Sequence, residues 1–93
     1  MPYLRVSRAQ FDPARYDDLA RLMPDLTAAT RRLPGLQHYH GGLDRDTGRA
    51  ISVTVFDTVE HTRYARDILG DIIPRLIAAG MRAEEPEVYE VLS

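Results

Sequence analysis

Apolar and polar residues alternate in four short runs of this chain, the pattern of strands that are covered on one face. In the first run Leu4 and Val6 alternate with polar neighbours. The two middle runs flank residues 41–48, whose glycine and aspartate content is typical of a hairpin turn. The four predicted strands are residues 3–8, 36–40, 50–56 and 87–92.

Helical spacing fills the segment between the first two strands. Asp12 is suited to the N-cap and Pro13 to the first helical position, and the Pro-Gly pair at 34–35 predicts the end. Pro24 predicts a kink near Leu22 or two short helices, and the apolar spacing continues across it, which favours one kinked helix. The predicted core face consists of Tyr16, Leu19, Met23, Leu26, Thr30 and Leu33.

A second helical region follows the third strand. The sequence Asp57-Thr58-Val59-Glu60 has the form of a capping box and predicts a helix that begins there and ends at Gly70. Asp71 is predicted to cap a shorter helical piece that ends at Gly80. The inward residues are predicted to be His61, Tyr64, Ala65 and Ile68, followed by Ile72, Ile73, Leu76 and Ile77.

The order β-α-β-β-α-β predicts an α+β fold, a ferredoxin-like two-layer sandwich with a four-stranded antiparallel sheet and both helices on one face. From right-handed crossovers we predict that strands one and three are parallel neighbours. The helices are expected to cover the face of the sheet that carries the aliphatic side chains of Leu4, Val6, Ile51, Val53 and Val55. The bare face would carry Tyr3, Arg5, Ser7, Gln37, Tyr39, Ser52, Thr54 and Phe56, whose aromatic rings predict cover by a second copy.

Length, charge and cysteine content restrict the classes of protein to which this chain can belong. The 93 residues predict a single domain, 1–93, with a thin core that favours a homodimer. The net charge is −2 and the twelve cations are all arginines scattered along the chain, which argues against nucleic acid as a partner. The chain has no cysteine, which excludes thiolate chemistry. With no signal-peptide pattern and no membrane-length apolar run, a cytoplasmic protein is expected.

The layout resembles the antibiotic biosynthesis monooxygenase superfamily. The likeness spans nearly the whole chain and includes the Leu33-Pro34-Gly35-Leu36 link and the sequence Val55-Phe56-Asp57-Thr58-Val59-Glu60-His61. It implies a dimeric α/β barrel, in a group that includes cofactor-independent oxygenases of quinols and polyketides, haem-degrading enzymes and an isomerase. The third strand here ends in Phe56 where members commonly have Trp. The chain contains neither Trp nor Asn, so the roles of those residues do not carry over.

The three histidines of the chain are the candidates for a general base. His38 and His40 are two apart on a strand, so they share a face; if Leu36 faces the helices, both imidazoles do as well. His61 on the second helix could join them, and neutral imidazole acts as a base near pH 7. The alternatives are that the rings are solvated or hydrogen-bonded to the backbone, or that they hold a metal. We predict a site without a metal.

Tyr16, Tyr64 and Met23 are the predicted substrate-binding residues, because they project from the helices toward the space above the sheet. Tyr39 is assigned instead to the dimer face. The predicted function is that of a cofactor-independent monooxygenase-like protein that acts on a small aromatic or quinol-type compound. The alternative is a non-catalytic small-molecule-binding or stress-response protein of the same fold.

Overall fold

The computed structural model describes residues 1–64, 67 and 69–92. The helices are α1, Tyr16–Thr30, preceded by a 3₁₀ turn at Pro13–Arg15; α2, Val59–Thr62; and α3, Ile73–Ala78. The strands are β1, Tyr3–Gln10; β2, Leu36–Asp44; β3, Arg49–Phe56; β4, Arg82–Ala83; and β5, Glu87–Glu90. No helix in the described part of the chain has both the length and the apolar content needed to cross a bilayer.

The strands form one antiparallel sheet in the order β2-β3-β1-β4, with β5 also pairing with β1. The ferredoxin-like α+β architecture is confirmed, although the sheet has five strands because the last segment pairs with β1 as two short pieces. The predicted parallel pairing of β1 and β3 is wrong. The crossover through α1 sets β2 in the direction of β1, and the hairpin then reverses β3, so β3 runs antiparallel to both.

Helix α1 follows the prediction closely. The Asp12 carboxylate accepts a hydrogen bond from the Ala14 amide at 2.9 Å, so it caps the 3₁₀ turn that leads into the helix. The helix continues through Pro24 as one element. Leu19, Thr30 and Leu33 are buried, and the rest of the predicted face packs around them: Tyr16, Met23 and Leu26.

The caps of the later helices differ from the prediction. Thr58, not Asp57, is the N-cap of α2, because its hydroxyl accepts the His61 amide hydrogen bond. Helix α3 begins after Ile72 without a side-chain cap, so the role predicted for Asp71 is wrong. Ile72 and Leu76 are buried as predicted, whereas Ile77 is 62% exposed. Two predicted inward residues, Ala65 and Ile68, lie outside the described residues.

The helices cover the opposite face of the sheet from the one predicted. Cross-strand partners share a face, and Phe56 and Thr54 of β3 are 0% and 4% exposed beneath the helices. Their partners on β1 are Tyr3 and Arg5, which therefore belong to the same inner face. The aliphatic residues lie on the outer face: Leu4, Val6, Ile51, Val53 and Val55. The prediction was wrong because alternation separates two faces without showing which one the helices cover.

A bulge in β2 decides where the histidines lie. Leu36 pairs with Phe56, but the next residue paired with β3 is His38, opposite Val55, so Gln37 is an extra residue. Such an insertion reverses the alternation for the rest of the strand. Leu36 packs under the helices with Phe56, yet His38 and every second residue after it point outward.

Candidate ligand-binding cavity

A cavity of about 570 Å³ lies between the inner face of the sheet and the helices. Its upper wall is mainly apolar and comes from α1, the turn that follows α1 and the segment around α3: Met23, Leu26, Leu33, Leu69, Ile73, Leu76 and Met81. Its floor is the sheet, where polar side chains predominate. A cavity of this volume is in the size range of small-molecule sites.

The floor consists of two polar rows that cross the sheet from β1 through β3 to β2. The first row is Arg5, Thr54 and Tyr39, and the second is Ser7, Ser52 and Gly41. On either side the rows are apolar: one contains Phe56, and the other is Ala9, Ala50 and Leu43. The polar rows are therefore a band between two hydrophobic bands that pack against the helices.

Residue size explains why a cavity forms above the second row. Ser7 and Ser52 have small side chains and Gly41 has none. On the flanking rows, Leu43 packs against the cluster that contains Leu19 of α1, and Phe56 packs with Leu33 and Leu69 next to the helices. The larger side chains of the flanking rows keep the helices at a distance from the sheet. The small residues between them therefore leave a cavity, which side-chain size alone explains.

Arg5 is the charged group of the first row. Its Nη1 donates a hydrogen bond to the Ser7 hydroxyl at 2.8 Å, and the side chains of both residues face the cavity. The Thr54 hydroxyl donates to the main-chain oxygen of Arg5 at 3.3 Å and is thereby satisfied within the sheet. The hydrogen bond to Ser7 helps to hold the guanidinium on the cavity floor.

Tyr39 lies over Gly41 on the same strand. A Cβ atom at Gly41 would come within 2.8 Å of the Tyr39 hydroxyl, so glycine is what allows the ring to lean along β2. Among the described residues the hydroxyl has no hydrogen-bond partner, and it lines the cavity. The assignment of Tyr39 to the dimer face is wrong, since the bulge at Gln37 turns it inward.

His38 and His40 lie outside the cavity. They pair with Val55 and Val53 on the outer face and are exposed. The prediction that both imidazoles face the helices is wrong, because it assumed unbroken alternation from Leu36. Their part in catalysis stays a prediction, without support from their position.

His61 is separated from the other two histidines and contacts a carboxylate. Its Nδ1 lies 2.6 Å from Asp57 Oδ1 and 3.2 Å from the Thr58 hydroxyl. The hydrogen bond with His61 lowers the pKa of Asp57. Gly35, with φ of +75°, lies against this pair, and a side chain there would run into both groups. His61 is not among the described residues that line the cavity, so we interpret the pair as a local contact where β3 leads into α2, against which Gly35 lies.

The three predicted substrate-binding residues have different positions. Met23 lines the cavity. Tyr16 packs at the edge of the core, 6.4 Å from the ring of Phe11 and with the Arg45 guanidinium 4.4 Å above its ring centre. Tyr64 is 47% exposed, with its ring 6.1 Å from that of His61. Only Met23 of the three is placed to touch a ligand in this cavity; that contact stays a prediction.

Sequence reasoning missed the floor residues Arg5, Ser7 and Ser52 as candidates. All three lie on one predicted face with Tyr39 and Thr54, so the alternation of the strands already groups them. What the alternation could not supply was the side on which the helices pack. In the described part of the chain, no group of three or more His, Cys, Asp or Glu residues is arranged to hold a metal ion.

Comparison with known proteins supports the fold. No protein-family model and no curated protein matches the sequence. Rv0793 from Mycobacterium tuberculosis superposes with a TM-score of 0.78 at 16% identity, covering 100% of this chain and 97% of that one. A candidate antibiotic biosynthesis monooxygenase from Deinococcus radiodurans gives 0.77 at 18% identity, covering 98% and 93%.

SnoaB, a cofactor-independent oxygenase from Streptomyces nogalater, superposes with a TM-score of 0.69 at 18% identity, covering 99% of this chain and 94% of that one. At these identities the likeness establishes the fold, and the agreement extends over nearly the whole chain in each case. The chain therefore has the fold of the antibiotic biosynthesis monooxygenase-like proteins, as its resemblance to that superfamily implied.

Proposed function

We propose that this protein is a cofactor-independent monooxygenase-like protein that acts on a small aromatic or quinol-type compound in the cavity above the sheet. The observation that carries the proposal is the combination of an apolar upper wall with a polar floor containing Arg5 and Tyr39. A planar, electron-rich ring fits such a space, with its oxygen atoms toward the floor. The fold shared with SnoaB is consistent with this chemistry.

The reaction would proceed through the anion of the substrate. A deprotonated quinol or anthrone carries negative charge on carbon as well as oxygen, and the carbon reacts with dioxygen to give a hydroperoxide. Loss of water then leaves a quinone, with one oxygen atom from dioxygen in the product and the other in the water. The substrate's own C–H bonds supply the electrons. The Arg5 guanidinium stabilises the anion, and the apolar wall strengthens that interaction by excluding water.

Oxygen consumption with a panel of naphthoquinols and anthrones tests this proposal. We expect turnover by the native protein and at least a tenfold loss of kcat/KM for Arg5→Gln, because the anion loses its counter-charge. His38→Ala and His40→Ala are expected to stay within twofold of the native value, since both rings lie on the outer face. Arg32→Gln, an exposed arginine absent from the cavity wall, is the matched control.

A non-catalytic binding protein is the second candidate, and one observation favours it. None of the described residues that line the cavity is a histidine, so the wall has no group that usually accepts a proton near neutral pH. Tight binding of aromatic compounds without oxygen consumption across the panel would identify this function and exclude the oxygenase.

We also propose that a second copy of the chain covers the outer face of the sheet. Leu4, Val53 and Val55 are aliphatic there, Ile51 is 44% exposed and Tyr89 is 50% exposed, an arrangement that favours burial against a partner. Sedimentation equilibrium at micromolar concentration is expected to show a dimer. Val53→Asp should give a folded monomer, whereas Ala28→Asp on the exposed side of α1 should stay dimeric. A native protein that sediments as a monomer throughout would contradict the proposal.

A further inference from the structure

We infer that the thioethers of Met23 and Met81 are a modification site, at which an aryl or alkyl hydroperoxide bound in the cavity is reduced to its alcohol while the sulfur becomes a sulfoxide. The modified wall then holds apolar ligands less tightly, so the site also makes ligand binding sensitive to oxidation. The inference rests on the proposed function for the cavity as the ligand site, but it does not depend on how the hydroperoxide is made.

The positions of the three methionines are the first observation. Met23 of α1 and Met81, which precedes β4, both line the cavity. Each is half-buried and packs against the core cluster that contains Leu19 and Leu76. Met1 is 74% exposed at the start of the chain and is not part of the described lining. The protein therefore has two methionines in the wall of the cavity and one at the surface.

The composition of the chain makes these thioethers the preferred targets of a two-electron oxidant. The chain has no cysteine and no tryptophan, so no thiol or indole competes for the peroxide oxygen. The other residues of the upper wall have hydrocarbon side chains that do not react with hydroperoxides: Leu26, Leu33, Leu69, Ile73 and Leu76. Within the described wall, oxidation is therefore directed to Met23 and Met81.

Oxygen transfer from a hydroperoxide to a thioether is a reaction of these two groups alone. The sulfur lone pair attacks the terminal peroxide oxygen, the O–O bond breaks and an S–O bond forms. The sulfur loses two electrons and the peroxide gains them, while the proton of the terminal oxygen passes to the departing oxygen, which leaves as an alcohol. Contact between an aromatic ring and a thioether is favourable, so it keeps a peroxide group attached to that ring near the sulfur.

Oxidation makes the apolar wall polar at two points. A sulfoxide has a strongly accepting oxygen, and an apolar ligand that covers this oxygen removes its water without supplying a hydrogen bond. We expect apolar aromatic compounds to bind the oxidised protein about tenfold more weakly. A hydroperoxide formed in this cavity by the proposed reaction would thus limit further binding there.

Peptide mapping after a brief exposure to cumene hydroperoxide tests the inference. Trypsin cleaves after arginine and places the three methionines in separate peptides: residues 1–5, 22–31 and 76–82. We expect sulfoxide to form at Met23 and Met81 roughly fivefold faster than at Met1, because the aromatic ring of this peroxide partitions into the cavity. Hydrogen peroxide has no apolar surface, so with this oxidant Met1 is expected to be modified first.

Matched controls separate the cavity from general reactivity. Saturating 4-nitroanisole or 4-nitrophenol, two small aromatic probes of the cavity, is expected to protect Met23 and Met81 and to leave the rate at Met1 unchanged. Ser52→Phe, which fills the cavity, should give the same pattern without any ligand. The double variant Met23→Leu/Met81→Leu nearly keeps the volume of the wall and cannot be oxidised there. Its affinity for 4-nitroanisole should be the same before and after treatment, whereas that of the native protein should fall.

Two results would overturn the inference. One is oxidation of Met1 by cumene hydroperoxide as fast as that of Met23 and Met81 in the folded native protein, and the other is an unchanged affinity for 4-nitroanisole once both sulfoxides have formed. If either is found while quinols still drive oxygen consumption, the proposed oxygenase stands and the inference fails. If selective oxidation weakens binding but no quinol drives oxygen consumption, the inference stands and the oxygenase fails.

Discussion

Ser52→Phe is expected to abolish binding of 4-nitrophenol and 4-nitroanisole alike, weakening each by at least a hundredfold. Ser52 is at the centre of the second polar row, between Ser7 and Gly41, where the small side chains leave the cavity open. A phenyl ring there projects into that space and fills the volume a ligand ring needs. Because the ring enters an existing cavity, we expect little overpacking strain and a thermal midpoint within a few degrees of the native one.

Ser52→Ala is the matched control, since it removes the hydroxyl without adding volume. It should retain binding of 4-nitroanisole within about twofold. Equilibrium titration with circular dichroism of the same samples separates loss of the cavity from loss of the fold. Undiminished binding by a folded Ser52→Phe variant would show that the ligand site is elsewhere.

Phe56→Ala is expected to lower the free energy of unfolding by about 3–5 kcal/mol. Phe56 is 0% exposed and packs with Leu33, Leu36 and Leu69 where the sheet meets the helices. Truncation would remove the largest side chain of this cluster and leave a hole that the strand backbone cannot close. For a small domain, whose stability is about 5–15 kcal/mol, this is a large fraction of the total.

Phe56→Leu keeps most of the volume and is expected to lose distinctly less stability than Phe56→Ala in the same denaturant titration. Val55→Ala, one position along on the outer face, is a second control. A loss below about 1 kcal/mol for Phe56→Ala would contradict the placement of this ring under the helices, and with it the assignment of the two faces of the sheet.

The order of helices and strands was predictable because nearby residues determine where each element begins and ends. Asp12 and Pro13 start the first helical region, and its apolar face continues across Pro24 as the spacing indicated. The hairpin follows from the turn residues between β2 and β3. These features depend on neighbours within a few positions, so they can be interpreted without knowledge of distant contacts.

The assignment of the two faces could not be predicted in the same way. Both sides of β1 and β3 contain side chains suited to burial, and hydropathy alone favours the more aliphatic side as the core. The helices instead cover the side with Arg5, Ser7 and Ser52, where bulky residues at the two ends support them and the polar middle stays open. Phe56 and Ala50 belong to the face that the helices cover. Identifying that face from the sequence would require knowledge of where Leu33 and Leu36 pack.

The predicted position of the candidate bases His38 and His40 is wrong because of a single residue. His38 and His40 do share a face, and the prediction failed only because Gln37 adds a residue after Leu36. No turn residue marks this bulge: Gln37 is an ordinary strand residue between an apolar residue and a histidine. Pairing with β3 reveals it, and pairing is a long-range property that periodicity along one strand does not contain.

The extra residue at position 37 has an evolutionary consequence. Deleting it would carry His38 and His40 to the helix side and move Tyr39 to the opposite side, while β2 could still pair with β3. A single-codon insertion or deletion at this place can thus exchange two imidazoles for a phenol and a glycine in the binding site. Proteins of this shape can diverge in chemistry through strand length alone, before any substitution is selected.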